Sequence, residues 1–329
     1  MTETEQFLAT MSERITEAET ALHQGDATLR LGMWSRTEPL TLFGAATSGV
    51  GWAELEPIFE GLGRRFSDCT SYRNEIVAAE ARGDLAYVVA LEHVTASIDG
   101  AEPRAYVLRA TTVFRREVGE WRFVHRHGDA LTVDSGTLVR RLAEPGPDRS
   151  TPRTTLASHT PDAGGRRRPS AAPGTGLDDF LATALPHQVD AEFAWHQGDL
   201  DARLASWSDR EPVTLFGAGG ACRSGSGEVR ALFRRAVTEI VPCRSLDYDL
   251  LAAGVDDELA YTVGYEHVSF PPGPVADHTL RVTYLHRREG DEWKIVHRHG
   301  DHLQGPGVRA GRRRLTRTAV PERPPTAAR

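Results

Sequence analysis

The residues of this sequence best suited to acid–base chemistry close two similar segments. The first segment reads EWRFVHRHGD and ends at Asp129, and the second reads EWKIVHRHGD and ends at Asp301. Residues two apart on a β-strand share a face, so each segment presents two imidazoles and a carboxylate together. An imidazole titrates near neutral pH, and a carboxylate hydrogen-bonded to it would fix its tautomer. The candidate catalytic residues are therefore His125, His127, Asp129, His297, His299 and Asp301.

Three interpretations of this pattern remain open. In the first, each set is an acid–base pair, with Arg109 or Arg281 stabilising an enolate or a carboxylate. In the second, the His-x-His spacing binds a metal ion, although no second strong cluster accompanies it. In the third, the side chains are structural hydrogen-bonding groups at the end of a strand. We expect no metal site and no organic cofactor.

Strand alternation also predicts the surroundings of these residues. Trp121 and Phe123 are an even number of residues away from His125, so we expect the histidine face to be the apolar, enclosed face. The sequence thus predicts an apolar pocket with a polar floor in each half of the chain. Further candidates for ligand binding are Trp34, His93, Arg109, Trp207, Tyr265, His267 and Arg281.

The two closing segments belong to a duplication that spans most of the chain. HQGD at residues 23–26 returns at 196–199, and EPLTLFGA at 38–45 returns as EPVTLFGA at 211–218. The offset is 172 to 174 residues throughout, the length of a domain and not of a solenoid repeat. We expect one domain at 1–135, a disordered Pro-, Gly- and Arg-rich linker at 136–176, a second domain at 177–304 and a basic disordered tail at 305–329.

Each copy is predicted to form helices first and strands afterwards. In copy one, Phe7, Met11 and Leu22 recur at helical spacing, and extended segments follow from residue 72. This order indicates an α+β fold with an antiparallel sheet. Together with HQGD, LFG and the closing W-x-x-VHRHGD, it resembles the SnoaL-like and ketosteroid-isomerase-like branch of the nuclear-transport-factor-2-like superfamily. The resemblance covers residues 3–133 and 177–303.

The resemblance implies two cone-shaped domains, each a curved antiparallel sheet wrapped around three helices and enclosing a pocket. The superfamily includes isomerases, dehydratases, polyketide cyclases and binding modules, so the fold does not decide the function. Steroid isomerases use an acidic base on an early strand, whereas the early strand here, Thr41-Leu42-Phe43-Gly44, has no carboxylate. We expect each cone to bind a small, largely apolar ligand with a carbonyl or carboxylate, without assured turnover. The alternative is a cofactor-independent isomerase, dehydratase or polyketide-cyclase-type enzyme.

Composition restricts the partners and the location. The 329 residues carry a net charge of −7, and the linker and tail are basic, so the domains themselves are acidic and unsuited to nucleic acid. No apolar run approaches the ~20 residues that span a bilayer. The acidic N-terminus lacks the pattern of a secretion signal. We expect a cytoplasmic protein with neither nucleic-acid nor membrane partners.

Domains of this superfamily commonly pair through the outer face of the sheet. The resemblance therefore implies that the two copies pair within the chain as a pseudo-dimer. The residues expected at this contact are Val88, Ala90 and Val94 with Thr262, Gly264 and Val268.

Overall fold

The structure, a computed structural model, describes residues 1–139, 142, 175–303, 311 and 313–319. The elements of copy one are α1 (Glu3–His23), α2 (Thr28–Gly32), β1 (Thr41–Phe43), β2 (Ser48–Val50), α3 (Trp52–Arg65), β3 (Phe66–Arg82), β4 (Leu85–Ile98), β5 (Arg104–Glu117), β6 (Glu120–Ala130) and α4 (Val133–Val139). Those of copy two are α5 (Thr175–Trp195), α6 (Leu200–Ser206), β7 (Thr214–Phe216), β8 (Cys222–Ser224), α7 (Ser226–Ala236), β9 (Ser245–Val255), β10 (Leu259–Ser269), β11 (His278–Glu289), β12 (Glu292–His302) and β13 (Arg313–Thr318). No helix in these described ranges is long and apolar enough to cross a membrane.

The predicted α+β fold is confirmed in both copies. Three helices precede or interrupt the strands, and the last four strands of each domain form an antiparallel meander, β3 to β6 and β9 to β12. The short strand β1 lies parallel to β6, with Thr41 beside His125 and Phe43 beside His127. Copy two repeats this pairing between β7 and β12. The early strand is thus fixed next to the closing histidines.

Helix α1 has strong sequence signals at its start and along one face. The Thr2 hydroxyl accepts from the Glu5 N–H, and the Glu5 carboxylate accepts from the Thr2 N–H, which is a capping box. Its buried stripe, which includes Phe7, Met11 and Ile15, packs against the concave face of the sheet. Glu19 lies in the same stripe and is also buried.

A β-bulge in the closing strand reverses the predicted alternation. Val113 pairs with His125, but the next residue, Phe114, pairs with Phe123, so Val124 has no partner of its own in the ladder. Because of this extra residue, Phe123 faces inward and packs 4.7 Å from Phe114, measured between ring centroids, whereas His125 faces outward. Copy two has the same register shift, between Leu285 and His286. The expectation that the histidines share the enclosed face is therefore wrong.

The two copies contact each other through the outer faces of their sheets. One cluster of buried apolar side chains includes Tyr87 and Val89 of copy one and Tyr261 and Val263 of copy two. The residues expected at this contact face the other way. Val88 and Ala90 border a small cavity inside the cone of copy one. Thr262 donates to Gln188 on α5, and Gly264 lies beneath Tyr248.

The predicted disordered tail contains a strand. β13 pairs antiparallel with β9 over six residues, and Leu315 is buried opposite Tyr248. Arg314 forms a bidentate ion pair with Asp249 at 2.5 Å. An edge strand has unpaired backbone groups that another strand can satisfy, which explains how an arginine-rich segment becomes ordered. Of the predicted linker, 136–139 belong to α4 and 175–176 to α5, and the remainder apart from residue 142 lies outside the described residues.

Candidate functional site

The predicted catalytic histidines lie between the two sheets and not in a cone. His125, His127, His297 and His299 are all 0% exposed. The rings of His127 and His299 stack across the contact, with centroids 3.8 Å apart and planes inclined by 6°. Each of these two rings belongs to a different copy, so the stack marks the centre of a pseudo-twofold arrangement.

A chain of hydrogen bonds runs through each pair of histidines and crosses between the copies. Thr41 Oγ1 lies 2.7 Å from His125 Nδ1, and His125 Nε2 lies 2.8 Å from Thr283 Oγ1. Thr283 Oγ1 is also 3.0 Å from His127 Nδ1, and His127 Nε2 is 2.9 Å from Asp301 Oδ1.

The direction of hydrogen-bond donation in this series follows from its last member, Asp301. An ionised carboxylate only accepts, so His127 Nε2 carries the proton and Nδ1 accepts from the Thr283 hydroxyl. Thr283 then accepts from His125 Nε2, and His125 Nδ1 accepts from the Thr41 hydroxyl. The counterpart chain has the same geometry, with distances of 2.7, 2.8, 2.9 and 2.9 Å. Its members are Thr214, His297, Thr111, His299 and Asp129. These two chains are called the central network below.

An arginine completes each end of the central network. Arg281 donates to both oxygens of Asp301, at 2.9 and 2.6 Å, and Arg109 pairs with Asp129 in the same bidentate way. A further N–H of each guanidinium crosses the contact. Arg281 Nη1 donates to Gly44 O at 2.7 Å, and Arg109 Nη1 donates to Gly217 O at 2.8 Å. Each arginine thus binds an aspartate of its own copy and a loop of the other.

The histidines of the central network are neutral at pH 7. Burial lowers the pKa of His127 to about 4 and the pKa of His297 to about 3. Burial opposes ionisation of Asp301, but Arg281 and His127 hold its pKa below the ordinary value. Burial raises the pKa of Asp129 to about 6, against the effect of Arg109, so this carboxyl is also ionised at pH 7.

Access to the central network is limited to its aspartate ends. Asp129, Asp301 and Arg109 border a cleft of about 520 Å³ between the copies, which is also lined by Ala45 and Gly219. The side chains of Asp129 and Asp301 are 12% and 9% exposed. Both nitrogens of each histidine are occupied by a hydroxyl or a carboxylate. No three metal-binding side chains converge anywhere in the described parts of the chain.

The other predicted site residues are scattered. Trp34 and Trp207 are buried in the two cores, against Phe123 and Phe233 respectively. Tyr265 lies at the contact between the copies, 5.5 Å from Phe43 between ring centroids. The last two candidates, His93 and His267, lie on the outer faces of their sheets. His93 pairs with Glu75 at 3.1 Å, and His267 pairs with Asp249 at 3.3 Å.

The interior of the copy-one cone holds a set of charges that the sequence analysis did not select. Glu19 on α1 pairs with Arg30 on α2 at 2.6 Å, and Glu92 on β4 pairs with Arg126 on β6 at 2.5 Å. All four side chains are less than a tenth exposed. Burying an ion pair is costly and adds little net stability, so such a set indicates a use other than stability.

A cavity of about 70 Å³ adjoins these charges. Within the described ranges, the polar atoms around it that have no hydrogen-bond partner include three donors: Tyr106 Oη, Arg30 Nε and Arg126 Nε. His23 also lines the cavity, and its Nδ1 lies 2.7 Å from the carbonyl oxygen of Glu19. A carbonyl only accepts, so Nδ1 carries the proton and Nε2 presents a lone pair. Burial lowers the pKa of His23 and raises the pKa of Tyr106 far above its ordinary value, so both are neutral.

The cone of copy two has the same charges but is filled. Tyr284 stands where copy one has Thr112. Its hydroxyl lies 2.8 Å from Glu192 and 2.6 Å from Glu266, and it accepts from Arg298 Nε at 2.9 Å. Tyr248 replaces Asn74 and packs over Gly264, where an added Cβ would come within 3.0 Å of the tyrosine hydroxyl. In copy one, Arg126 Nε, the counterpart of Arg298 Nε, has no hydrogen-bond partner among the described residues.

One signal in the sequence pointed to this interior. Glu19 and Glu192 both fall within the apolar stripe of the first helix of their copy, 173 residues apart. A carboxylate on a buried helix face is rare unless it is paired. His23 ends the same helix, a position where histidine is typical of a helix terminus, so its type and place do not indicate that it faces the cone.

Comparison with known proteins agrees with this architecture. The model of the SnoaL-like domain matches twice, at residues 12–131 and 192–301. No curated protein matches the chain. Several solved structures are similar to parts of the chain. One is an NTF2-like family protein from Streptomyces avermitilis, which is 19% identical and has a TM-score of 0.35. The match covers 39% of this chain and 99% of that chain. A cystatin-like fold protein from Burkholderia xenovorans has 21% identity, 39% and 95% coverage, and a TM-score of 0.33. An NTF2-like protein of unknown function from Shewanella oneidensis has 22% identity, 38% and 98% coverage, and a TM-score of 0.31. The two matches together span more than half of the chain, and the chain therefore belongs to the SnoaL-like domain family, with two copies of the domain in tandem.

Proposed function

We propose that the protein binds a small neutral carbonyl compound in the cone of copy one, and that copy two is a closed partner domain. The observation that carries this proposal is the difference between Thr112 and Tyr284. The Tyr284 hydroxyl contacts three of the buried charges of copy two, Glu192, Glu266 and Arg298. In copy one Thr112 borders a space of about 10 Å³ beside Glu19, Arg30 and Glu92, and a ligand oxygen that enters it would take the place of the tyrosine hydroxyl.

The polar groups around the cavity specify the ligand's chemistry. The two acids and two arginines of the copy-one cone cancel in charge, which favours a neutral ligand. Tyr106 and the arginine Nε atoms donate, so they suit a carbonyl oxygen. His23 Nε2 accepts, so it suits a hydroxyl or an acidic C–H. Leaving such groups unpaired costs ~1–3 kcal/mol each, which a fitting ligand would recover.

The size of the cavity limits how much of the ligand is enclosed. Its volume of about 70 Å³ is less than half of the ~150 Å³ cavity that holds benzene. Only the polar head of a larger ligand would fit inside. The remainder would pass the loop at 44–47 and contact Leu62 and Phe66, which line the same cavity.

We assign the central network a different role, which is to hold the copies together as an internal pseudo-dimer. Its nitrogens already have partners, and both chains cross the contact. The proposed domains remain 1–135 and 177–304, with β13 added to the second.

The test is a binding measurement with acetone and cyclohexanone as probes, by NMR of leucine methyl groups. We expect the methyl signals of Leu42 and Leu108, which line the cavity, to shift on titration. The Thr112→Tyr variant installs the copy-two residue and should abolish the shifts. The reciprocal Tyr284→Thr variant should produce new shifts at Leu215 and Leu280. Wild-type protein that shows no shift, or shifts that persist in a folded Thr112→Tyr variant, would refute the proposal.

A second candidate is turnover, and the orientation of His23 favours it. Its free Nε2 lone pair at the cavity could remove a proton from the carbon next to the ligand carbonyl and return it, as an isomerase does. In D₂O this would replace the α-protons of cyclohexanone by deuterium, detectable by mass spectrometry. We expect the His23→Phe variant to lose the exchange. Exchange no faster than in buffer would exclude turnover on this probe and leave binding alone.

A further inference from the structure

Copy two departs from copy one at four positions where the helices meet the sheet. In copy one these positions carry large side chains that are buried and closely packed. The pairs, copy one first, are Met11 and Ala184, Met33 and Ser206, Phe114 and His286, and Phe123 and Ile295. Three of the four replacements remove volume from the core. The fourth replaces a phenyl ring by an imidazole.

The lost volume leaves a groove of about 480 Å³ in copy two. It lies between α5, α6 and the start of β12 and shares no lining residue with the copy-one cavity. Five alanines line it, together with Trp293 and Ile295: Ala184, Ala191, Ala194, Ala202 and Ala205. This volume is within the ~300–1,000 Å³ range of sites for small molecules. We call it the copy-two groove.

His286 borders the copy-two groove and has no hydrogen bond. The residue is 2% exposed, and neither ring nitrogen has a partner within the part of the chain that the structure describes. Two aromatic rings lie beside it, Phe180 edge-on at 5.3 Å and Tyr284 at 6.2 Å between centroids. Burial lowers the pKa of His286 to about 3, so the ring is neutral and offers one donor and one acceptor. A buried polar group without a partner is uncommon and calls for an explanation.

We propose that the copy-two groove binds a small neutral phenol or cyclic alcohol, with its hydroxyl hydrogen-bonded to His286 and its ring against the alanines and Trp293. A hydroxyl both donates and accepts, so it matches either nitrogen of a neutral imidazole. The rim carries Asp190, Asp291 and Glu292 against a single lysine, Lys294, so it disfavours an anion. This site is separate from the copy-one cavity and does not depend on its ligand.

The probes are phenol and benzene, which differ only by the hydroxyl. NMR of alanine methyl groups should show both probes shifting the signals of Ala184 and Ala191, with phenol binding more tightly. The His286→Phe variant installs the copy-one residue and keeps the groove. We expect it to weaken phenol about tenfold, which corresponds to one hydrogen bond of ~1.4 kcal/mol, and to leave benzene unchanged.

The Ala184→Met variant also installs a copy-one residue and should fill the groove, so that neither probe binds. Thr112→Tyr, at the copy-one cavity, is the matched control and should leave phenol binding unchanged. The melting temperature of each variant checks that it is folded. The proposal fails if phenol does not shift the alanine signals, if a folded Ala184→Met variant binds it normally, or if His286→Phe weakens phenol and benzene equally.

Discussion

The free energy of unfolding should fall steeply as the pH drops below 6.5, because four neutral histidines are buried between the copies. An unfolded histidine takes up a proton near pH 6.5. In the folded chain, burial lowers the pKa of His127 to about 4 and of His297 to about 3, and it lowers those of His125 and His299 well below the ordinary value. Between about pH 4 and pH 6.5 the unfolded state therefore binds more protons than the folded state. The free energy of unfolding rises with pH in this range and levels off above about pH 6.5.

The size of the effect follows from the same pKa values. At pH 5.5 each histidine that stays neutral in the folded state lowers the free energy of unfolding by about 1.4 kcal/mol relative to its value well above pH 6.5. The four histidines together lower it by about 6 kcal/mol. Total stabilities of ~5–15 kcal/mol are typical of domains, so acid of this strength should remove much of the margin. Other buried histidines with lowered pKa values, among them His196 at about 4, act in the same direction. Asp129 acts in the opposite direction, because burial raises its pKa to about 6 and the folded chain takes up this proton before the unfolded chain does, but it is one group against four.

The assay is urea unfolding at a series of pH values from 7.5 to 4.5, followed by tryptophan fluorescence. A double variant, His127→Gln with His299→Gln, removes two titrating groups and keeps an N–H that can reach each aspartate. Its slope of free energy against pH should be smaller than the wild-type slope by about 2.7 kcal/mol per pH unit. If the double variant fails to fold, ¹⁵N NMR of the imidazoles reports their protonation directly. A wild-type stability that is equal at pH 7.5 and 5.5, or histidines already protonated at pH 6 in the folded chain, would refute the reasoning.

Three further predictions concern stability. Arg109→Ala should lower the free energy of unfolding in urea by ~3–5 kcal/mol, because it leaves Asp129 buried without its charged partner. Arg73→Ala, which removes the exposed Arg73–Glu75 pair, is the control and should have a much smaller effect. Gly264→Ala should destabilise copy two by ~1–3 kcal/mol and lower the melting temperature, because its Cβ would meet the carbonyl oxygen of Asp249. Leu315→Ala should lower the free energy of unfolding by ~2–3 kcal/mol and raise hydrogen exchange along β9, since Leu315 is the buried residue by which β13 packs beside β9; unchanged exchange would contradict the pairing of β13 with β9.

The sequence was enough to predict the duplication and the α+β order, because both can be recognised from short stretches of sequence. Each depends on motifs a few residues long, on helical spacing and on the order of elements, none of which requires knowledge of distant contacts. The candidate site depended on one further assumption, an unbroken alternation along the closing strand. The bulge at Val124 breaks it, and no glycine or proline marks that position. The two sets of three candidate residues therefore lie on the outer faces of their sheets and meet between the copies, whereas the prediction placed one set in each cone.

The interior of the cone was hidden for a second reason. Strict alternation along the closing strand predicts Arg126 on the face opposite the histidines, and hence outside the cone. Here its charge is met by Glu92 from a neighbouring strand, and only the assembled sheet brings the two together. The strand in the tail was missed for a similar reason. Its one buried leucine stands among arginines, and its partner strand is more than 60 residues away in sequence.

The two copies agree in the central network and differ inside their cones. Every member of the central network has the same residue type at the equivalent position of the other copy. On a pseudo-twofold axis a side chain of one copy meets the counterparts of its own neighbours, so a change in one copy disturbs both chains of hydrogen bonds. The cones face away from this contact, and no such coupling restricts them. Tyr284 could therefore close one cone, and His286 could enter one core, while Thr112 and Phe114 were kept in the other copy. The functional difference between the copies is accordingly expected in the cones and the copy-two groove, and the contact between the sheets is expected to set only how firmly the two domains are held.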